Sequence, residues 1–136
     1  MLQKELKVRK TIVLIDDDHD DHEIFTMALD QLDEAIECIY YDSAREAFQA
    51  FTEETITAAD YIFLDLNMPG MSGMQFLENM QKHYSQLPIP VIVYSTSMLP
   101  SNKSKVLELG ATDFFIKPHS HKELIQILKA LLISNN

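Results

Sequence analysis

The chain alternates short apolar runs with stretches in which apolar residues recur every three or four positions. The runs have the length and the β-branched composition of buried strands, and the periodic stretches have the spacing of amphipathic helices. This alternation predicts an α/β fold, in which helices cover both faces of an open parallel sheet. The five predicted strands are Thr11–Ile15, Ile36–Tyr41, Tyr61–Leu64, Pro90–Tyr94 and Phe114–Ile116.

Five predicted helices follow the strands, and local signals mark several of their ends. Ser43 and Ser120 each stand three residues before a glutamate, which is the spacing of a capping box. Gly110 is interpreted as the residue that ends the fourth helix, because glycine readily adopts the left-handed conformation found there. The predicted helices are His22–Leu32, the stretches that follow Ser43 and Gly73, Ser101–Leu109, and the stretch that follows Ser120.

Polar side chains fall where the predicted strands end. The carboxyl ends of parallel strands form the ligand crevice of an open α/β sheet, at the point where the strand order reverses. With the strand order 2-1-3-4-5, the first and third strands are neighbours, so three carboxylates meet there beside a hydroxyl and an ammonium group. The residues are Asp16 and Asp17 after the first strand, Asp65 after the third, Ser95 and Thr96 after the fourth, and Lys117 after the fifth.

This set of side chains predicts a magnesium site. Clustered carboxylates cannot all stay ionised without a counter-ion, and Mg²⁺ is commonly bound by carboxylates, waters and phosphate oxygens. Ca²⁺ is disfavoured because no loop of spaced ligands is present in the sequence. Zn²⁺ is disfavoured because the acids are not joined by a convincing set of histidines and cysteines. His19 and His22 lie near the acids, but we interpret them as surface residues of the first helix.

The same residues can carry phosphoryl chemistry. A carboxylate beside Mg²⁺ can attack a phosphoryl group and form an acyl phosphate. The ammonium group of Lys117 would neutralise charge on the transferred oxygens, and Ser95 could hydrogen-bond one of them. Polar residues that merely cap strand ends would explain one such position, but not six positions of complementary type at four strand ends.

Charge and hydropathy exclude other classes of partner. The formal net charge is -10, so nucleic acid and anionic membrane surfaces would be repelled. No apolar stretch approaches the length of a membrane span, and the N-terminal apolar run is too short for a secretory signal. The single cysteine, Cys38, is expected to be a buried structural thiol and fits a reducing compartment. We therefore expect a cytoplasmic protein.

Five segments together resemble the receiver domain of two-component response regulators, in order and in spacing. Each segment alone would be weak, but the set is specific. The resemblance covers about Lys10 to Leu132. We therefore interpret residues 1–9 as a tail and residues 10–134 as a receiver domain with a flavodoxin-like fold. The segments are Ile15–Asp18, Asp65–Gly73, Pro90–Ser95, Gly110–Asp113 and Lys117–Pro118.

The resemblance implies a role for each residue of the crevice. Asp65 matches the phosphoacceptor, and Asp16 and Asp17 match the acidic pair that holds Mg²⁺. Asn67 matches the position that gives a backbone carbonyl to the metal, and Lys117 matches the lysine that forms a salt bridge with the phosphoryl group. Such a receiver phosphorylates itself from a donor and can lose the group slowly, but it is not an enzyme that turns over an external substrate.

Two further positions match the family's switch. Ser95 matches the hydroxyl that moves towards the phosphoryl group, and Phe114 occupies the position of the switch aromatic; threonine and tyrosine are commoner at these two positions. Thr96 stands where a smaller residue is common, and we hypothesise that it crowds the phosphoryl site and alters the phosphoryl lifetime. The family's peptide bond before the proline at Pro118 is often cis, which the resemblance implies here too.

The resemblance also implies protein partners. The donor would be a sensor histidine kinase or a histidine phosphotransfer protein. Because the chain ends after the fifth helix, we expect a stand-alone receiver whose output is docking to a downstream protein or onward phosphotransfer, with no nucleic acid and no membrane as partner. Phosphorylation would repack the face made by the fourth helix, the fifth strand and the fifth helix, which is also the family's common homodimer face. That face would comprise parts of Met98–Leu109, Phe114 and Ser120–Ser134.

Three alternative functions fit the sequence less well. A phosphatase of the haloacid dehalogenase group would need an acid/base aspartate at the position of Asn67. A docking module that works without phosphorylation would be expected to lack an acid or the lysine, and this chain keeps them. A flavin binder would need a phosphate-cradling loop after the first strand, where three aspartates would repel phosphate.

Overall fold

The computed structural model describes residues 9–32, 35–53, 59–84, 89–96 and 100–133, without the side chains of Arg9 and Pro100. Within these ranges, five strands and five helices alternate, as the sequence predicts, and none of the helices combines the length and hydropathy that a bilayer crossing needs. The strands are β1 (Arg9–Ile15), β2 (Ala35–Tyr41), β3 (Tyr61–Asp65), β4 (Val91–Ser95) and β5 (Asp113–Ile116). The helices are α1 (His19–Asp30), α2 (Ala44–Thr52), α3 (Gly73–His83), α4 (Pro100–Glu108) and α5 (His121–Leu132).

The strands form one parallel sheet in the order β2-β1-β3-β4-β5, which confirms the predicted fold. In the register, Ile15 is paired with Leu64 and Asp65 is paired with Tyr94, so the carboxyl ends of β1, β3 and β4 lie side by side. The strand order reverses at β1, because β2 lies on one side of it and the later strands lie on the other. The polar residues that end these strands are therefore gathered at one edge of the sheet.

Both faces of the sheet are covered by helices. Alternate side chains of a strand point to opposite faces. Val13 and Ile15 of β1 pack in the core beneath α2, α3 and α4, whereas Ile12 and Leu14 pack in the core beneath α1 and α5. Burial on both faces explains why β1 is apolar at successive positions rather than at every second one.

Helix α1 begins three residues earlier than predicted, at His19. Asp18 caps this helix, because its Oδ1 accepts hydrogen bonds from the backbone N–H groups of Asp20 and Asp21. The third acid of the run that follows β1 is thus used to start the helix. Only the first two acids of the run remain for the crevice.

Serine side chains cap three other helices. Ser43 and Ser120 each accept a hydrogen bond from the backbone N–H three residues later, at the predicted positions. Helix α3 has a full capping box between Ser72 and Gln75, in a segment that the sequence indicates only as a turn. Gly110 has a φ of 104°, as expected for the residue that ends α4.

Two local expectations are wrong. The Lys117–Pro118 peptide bond is trans. Cys38 is half-buried rather than buried, because it lies on β2, an edge strand of the sheet. Burial nevertheless raises the pKa of its thiol to about 12. Most of the predicted tail (residues 1–8) and two parts of the predicted switch face (98–99 and 134) lie outside the described residues.

Candidate phosphoryl and metal site

Three carboxylates meet at the carboxyl edge of the sheet. One oxygen atom from each of Asp16, Asp17 and Asp65 lies within 4.8 Å of the others. Asp16 is fully buried and Asp65 is 4% exposed, so two of the three carboxylates are shielded from bulk water. The arrangement follows from the sheet, since β1 and β3 are hydrogen-bonded neighbours and both end at this edge.

Asp16 is held by hydrogen bonds from three parts of the chain. Its Oδ1 accepts a bond of 2.9 Å from the backbone N–H of Asp18, and its Oδ2 accepts a bond of 2.5 Å from the hydroxyl of Tyr94. The hydroxyl of Tyr40 donates to its backbone carbonyl at 2.7 Å. Burial raises the pKa of Asp16, against the lowering effect of the bonds from Tyr94 and Asp18.

Lys117 supplies the positive charge of the site. Its Nζ lies 2.6 Å from Oδ2 of Asp21, and 3.5 Å from Oδ2 of both Asp16 and Asp65. Burial alone would lower the pKa of Lys117, but the hydrogen bond to Asp21 and the charges of Asp16 and Asp65 outweigh burial and raise it. The ammonium group therefore stays charged at neutral pH.

Asp65 lies between Lys117 and the loop that follows β3. Its Oδ1 accepts a hydrogen bond from the backbone N–H of Asn67 at 3.2 Å, and its Oδ2 faces Lys117. Burial raises the pKa of Asp65 to about 7; Lys117 opposes this rise and the charge of Asp16 adds to it. A cation bound between the carboxylates would favour their ionised forms and lower these pKa values.

The side chains of Ser95 and Asn67 are hydrogen-bonded to each other. Ser95 ends β4 and is fully buried, and its Oγ accepts a bond of 2.8 Å from Nδ2 of Asn67. Its backbone carbonyl accepts a bond of 2.7 Å from the N–H of Lys117, which joins the ends of β4 and β5. Thr96, the next residue, is exposed. Ser95, which is predicted to carry the switch hydroxyl, is thus hydrogen-bonded to both Asn67 and Lys117.

The position of Gly73 requires glycine because the chain passes very close to β3 there. A Cβ atom at Gly73 would lie 2.5 Å from the backbone oxygen of Asp65 and 2.8 Å from Cα of Leu66, both below van der Waals contact. The N–H of Gly73 donates to the carbonyl of Leu66 at 3.0 Å. The first residue of α3 is therefore packed directly on the end of β3, which fixes the position of Asp65.

The fold and the crevice can be compared with those of known proteins. The chain matches the family described as response regulator receiver domain over residues 12–129. It belongs to that family. This receiver domain is 31% identical over 125 residues to the phosphate regulon transcriptional regulatory protein PhoB of Pseudomonas aeruginosa. The match covers 92% of this chain and 52% of PhoB, so the chain spans about half the length of that relative.

Solved structures of response regulators share the fold of this receiver. The phosphorylated cyanobacterial phytochrome response regulator RcpA matches with a TM-score of 0.78 and 25% identity, over 91% of each chain. The Mn²⁺-bound form of response regulator Rcp1 matches with a TM-score of 0.79 and 23% identity, over 93% of this chain and 96% of that one. Receiver domains are phosphoacceptors that interact with histidine kinases or phosphotransfer proteins, and they are not classical turnover enzymes.

The acidic cluster of this receiver fits a hard divalent cation. It offers only oxygen ligands, and Lys117 provides a single positive charge against three carboxylates. The two nearby histidines are engaged elsewhere: His22 stacks on Tyr40 with ring centroids 3.8 Å apart, and Nε2 of His19 lies 3.5 Å from Oδ2 of Asp42. The donor set therefore favours Mg²⁺ over Zn²⁺.

Phe114 lies on β5, apart from the carboxylates. It is half-buried, and the Nζ atom of Lys103 lies 4.7 Å from the centroid of its ring. This is the distance of a cation–π contact, which here joins α4 to β5. The next residue, Phe115, packs on the opposite face of the sheet, where its ring stacks on Tyr94.

Three residues that contact the site are given no role by the sequence motifs. The sequence indicates Asp21 only as an acid near the start of a helix, although it makes the shortest contact with Lys117. Tyr40 and Tyr94 have the pattern of apolar strand residues. A signal was available for Tyr94, because it immediately precedes Ser95 and a buried hydroxyl requires a polar partner.

Proposed function

We propose that this receiver accepts a phosphoryl group on Asp65 from a histidine kinase or a histidine phosphotransfer protein, in a reaction that requires Mg²⁺. The observation that carries the proposal is the convergence of three carboxylates and Lys117 at one edge of the sheet. The carboxylates of Asp16, Asp17 and Asp65 and the backbone carbonyl of Asn67 would hold the metal ion.

In the proposed step, a carboxylate oxygen of Asp65 attacks the phosphorus atom of the donor's phosphohistidine. The bond between phosphorus and the imidazole nitrogen breaks, its electron pair returns to that nitrogen, and an acyl phosphate forms on Asp65. Lys117 lies 3.5 Å from Oδ2 of Asp65, which is close enough to pair with the transferred oxygens. Bound Mg²⁺ would supply further positive charge to the same oxygens.

Loss of the phosphoryl group is proposed to be slow hydrolysis. The residue two positions after Asp65 is Asn67, whose side-chain amide donates a hydrogen bond to Ser95 and cannot act as an acid or a base. A phosphatase that uses an aspartyl phosphate would need such a group at this position. The amide therefore supports a phosphoacceptor that loses its phosphoryl group slowly rather than a turnover enzyme.

Ser95 and Phe114 are proposed to switch together after phosphorylation. Ser95 would exchange its hydrogen bond with Asn67 for one with a phosphoryl oxygen on Asp65. Phe114 would turn inward and leave the ammonium group of Lys103. Since these contacts join β4, β5 and α4, their rearrangement would alter the α4–β5–α5 face, through which we propose that the receiver signals to a downstream protein or passes the phosphoryl group on.

The same face is proposed to form a homodimer when Asp65 is phosphorylated. Its elements carry two large apolar side chains that are exposed, Leu107 on α4 (41%) and Ile116 at the end of β5 (50%). Light scattering before and after phosphorylation tests this part. An unchanged molar mass at high concentration of the phosphorylated protein would contradict it.

The proposed acceptor site is tested by intact mass after incubation with acetyl phosphate or phosphoramidate, with and without Mg²⁺. We expect one phosphoryl adduct on the wild type that requires Mg²⁺ and is absent from Asp65→Asn. Asp42→Asn is the matched control, because Asp42 is exposed just after β2 and should leave the adduct in place. A folded wild type that gains no adduct from either donor would favour a docking module that works without phosphorylation.

A further inference from the structure

Tyr94 contacts both charged groups that flank Asp65. It precedes Ser95 on β4 and is 3% exposed. Its hydroxyl donates to Oδ2 of Asp16 at 2.5 Å, and the Nζ atom of Lys117 lies 4.9 Å from the centroid of its ring. The hydroxyl is the donor of this bond and the carboxylate of Asp16 is its acceptor.

The ring of Tyr94 is fixed by two other aromatic side chains. Its centroid lies 5.6 Å from that of Phe115 on β5, with the planes 13° apart, and 6.2 Å from that of Phe25 on α1. These contacts lie in the core beneath α1 and α5. These contacts hold the ring of Tyr94 in one orientation, so its hydroxyl stays within hydrogen-bond distance of Asp16.

Asp16 is oriented from two directions. Asp18 bonds to Oδ1 and Tyr94 bonds to Oδ2, which prevents rotation of the carboxylate. Oδ2 remains 3.5 Å from the Nζ atom of Lys117, longer than a direct hydrogen bond. Without the tyrosine hydroxyl, the carboxylate could turn and close this gap. Lys117 would then compete with a cation for Asp16.

We propose that Tyr94 is a positioning residue with two effects: its hydroxyl keeps the Asp16 carboxylate available for Mg²⁺, and its ring supports Lys117 beside Asp65. The second effect rests on the proposed function, since there Lys117 acts on a phosphoryl group at Asp65. Groups that hydrogen-bond to metal ligands commonly fix their orientation, and their loss costs about 10- to 100-fold in metal affinity or activity.

Two substitutions separate the two effects. Tyr94→Phe removes the hydroxyl and keeps the ring, whereas Tyr94→Leu removes both; Tyr94→Met replaces the leucine variant if that variant does not fold. Tyr84→Phe is the matched control, because the hydroxyl of Tyr84 donates to the backbone carbonyl of Phe51 at 2.8 Å and lies at the far end of α3 from Gly73. Urea unfolding in EDTA shows that each variant is folded, and titration calorimetry gives its dissociation constant for Mg²⁺.

The dissociation constant for Mg²⁺ should rise about tenfold or more in both Tyr94 variants and stay unchanged in Tyr84→Phe. With a small phosphodonor, the Mg²⁺ concentration that gives half-maximal labelling of Asp65 should rise by the same factor. The maximal rate at saturating Mg²⁺ should fall only in Tyr94→Leu, because only that variant leaves Lys117 without the ring. If Tyr94 only stabilised the fold, its substitution would lower the free energy of unfolding. Tyr94→Phe and Tyr94→Leu would then not differ in whether they change the Mg²⁺ dissociation constant or the maximal rate.

An unchanged Mg²⁺ dissociation constant in folded Tyr94→Phe would overturn the effect on Asp16. Equal maximal rates in Tyr94→Phe and Tyr94→Leu would overturn the effect on Lys117. If the wild type binds Mg²⁺ but gains no phosphoryl group, the proposed function and the effect on Lys117 both fail. The Mg²⁺ dissociation constants of the wild type and Tyr94→Phe would still test the effect on Asp16.

Discussion

Replacing Asp65 by asparagine should stabilise the metal-free protein at alkaline pH. The side chain of Asp65 is 6% exposed, and burial raises its pKa to about 7 from the usual 3.8. The folded state therefore binds this proton more tightly than the unfolded state does. The free energy of unfolding consequently falls as the pH rises through the window between these two values. Asparagine resembles the protonated carboxyl group and removes this loss.

The two pKa values set the size of the effect. Ionising Asp65 in the folded protein costs about 4 kcal/mol if the whole pKa difference is expressed. Local relaxation and water entry reduce such costs in proteins, so we expect Asp65→Asn to raise the free energy of unfolding by about 2 kcal/mol at about pH 8. At about pH 4, where folded Asp65 keeps its proton even with the smaller pKa difference, the gain should be less than half as large.

Urea unfolding in EDTA at these two pH values measures the effect. Glu37→Gln is the matched control, because Glu37 is exposed on the edge strand β2 and its loss relieves the general repulsion of a chain with a net charge of -10. Excess Mg²⁺ should stabilise the wild type at the higher pH and remove the advantage of the asparagine variant. The reasoning would be refuted if Asp65→Asn raised the free energy of unfolding equally at both pH values. It would also be refuted if Asp65→Asn were less stable than the wild type at the higher pH.

Three smaller perturbations test the packing, the phosphoryl lifetime and the donor contact. Gly73→Ala should lower the free energy of unfolding by about 3 kcal/mol in urea, because its Cβ would overlap the backbone of β3; an equally stable variant would contradict this close approach. Thr96→Ala should change the rate at which Asp65 loses its phosphoryl group, followed by intact mass over time, and equal decay would remove the crowding hypothesis. Ile24→Asp should slow transfer from a protein donor but not from acetyl phosphate, because Ile24 is 46% exposed on α1 and lines a groove that Lys117 also lines. Gln49→Asp should leave both rates unchanged, because Gln49 is exposed on α2, on the other side of the sheet from α1. Equal slowing with both donors in Ile24→Asp would argue against donor docking at Ile24.

The fold could be predicted because the strands carry strong local signals. Strands β1 and β3 are apolar at successive positions, which is typical of strands buried on both faces, and each is followed or ended by an acid. In a parallel sheet this pattern also gives the location of the site, since the carboxyl ends of the strands share one edge. Asp16 and Asp65 could therefore be placed together without knowledge of any side-chain contact.

Side-chain contacts between distant parts of the chain could not be predicted in the same way. Tyr94 and Asp16 are 78 positions apart, and Lys117 and Asp21 are 96 positions apart. Hydrophobic periodicity indicates the face on which a side chain lies, but not the partner that its polar atom meets. Asp18 illustrates a second limit, because a carboxylate after a strand can bind a cation or cap a helix, and residue type alone does not distinguish these roles.

Strand β5 is four residues long and is the outermost strand on its side of the sheet, so it is hydrogen-bonded to β4 alone. It contains Phe114 and leads directly into Lys117, whose N–H is bonded to the end of β4. A small displacement of β5 would therefore move the half-buried charge of Lys117 and the half-buried ring of Phe114 together, while disturbing backbone bonds on one side only. In the proposed switch, this short strand would connect a change at Lys117 in the crevice with a change at Phe114 on the α4–β5–α5 face.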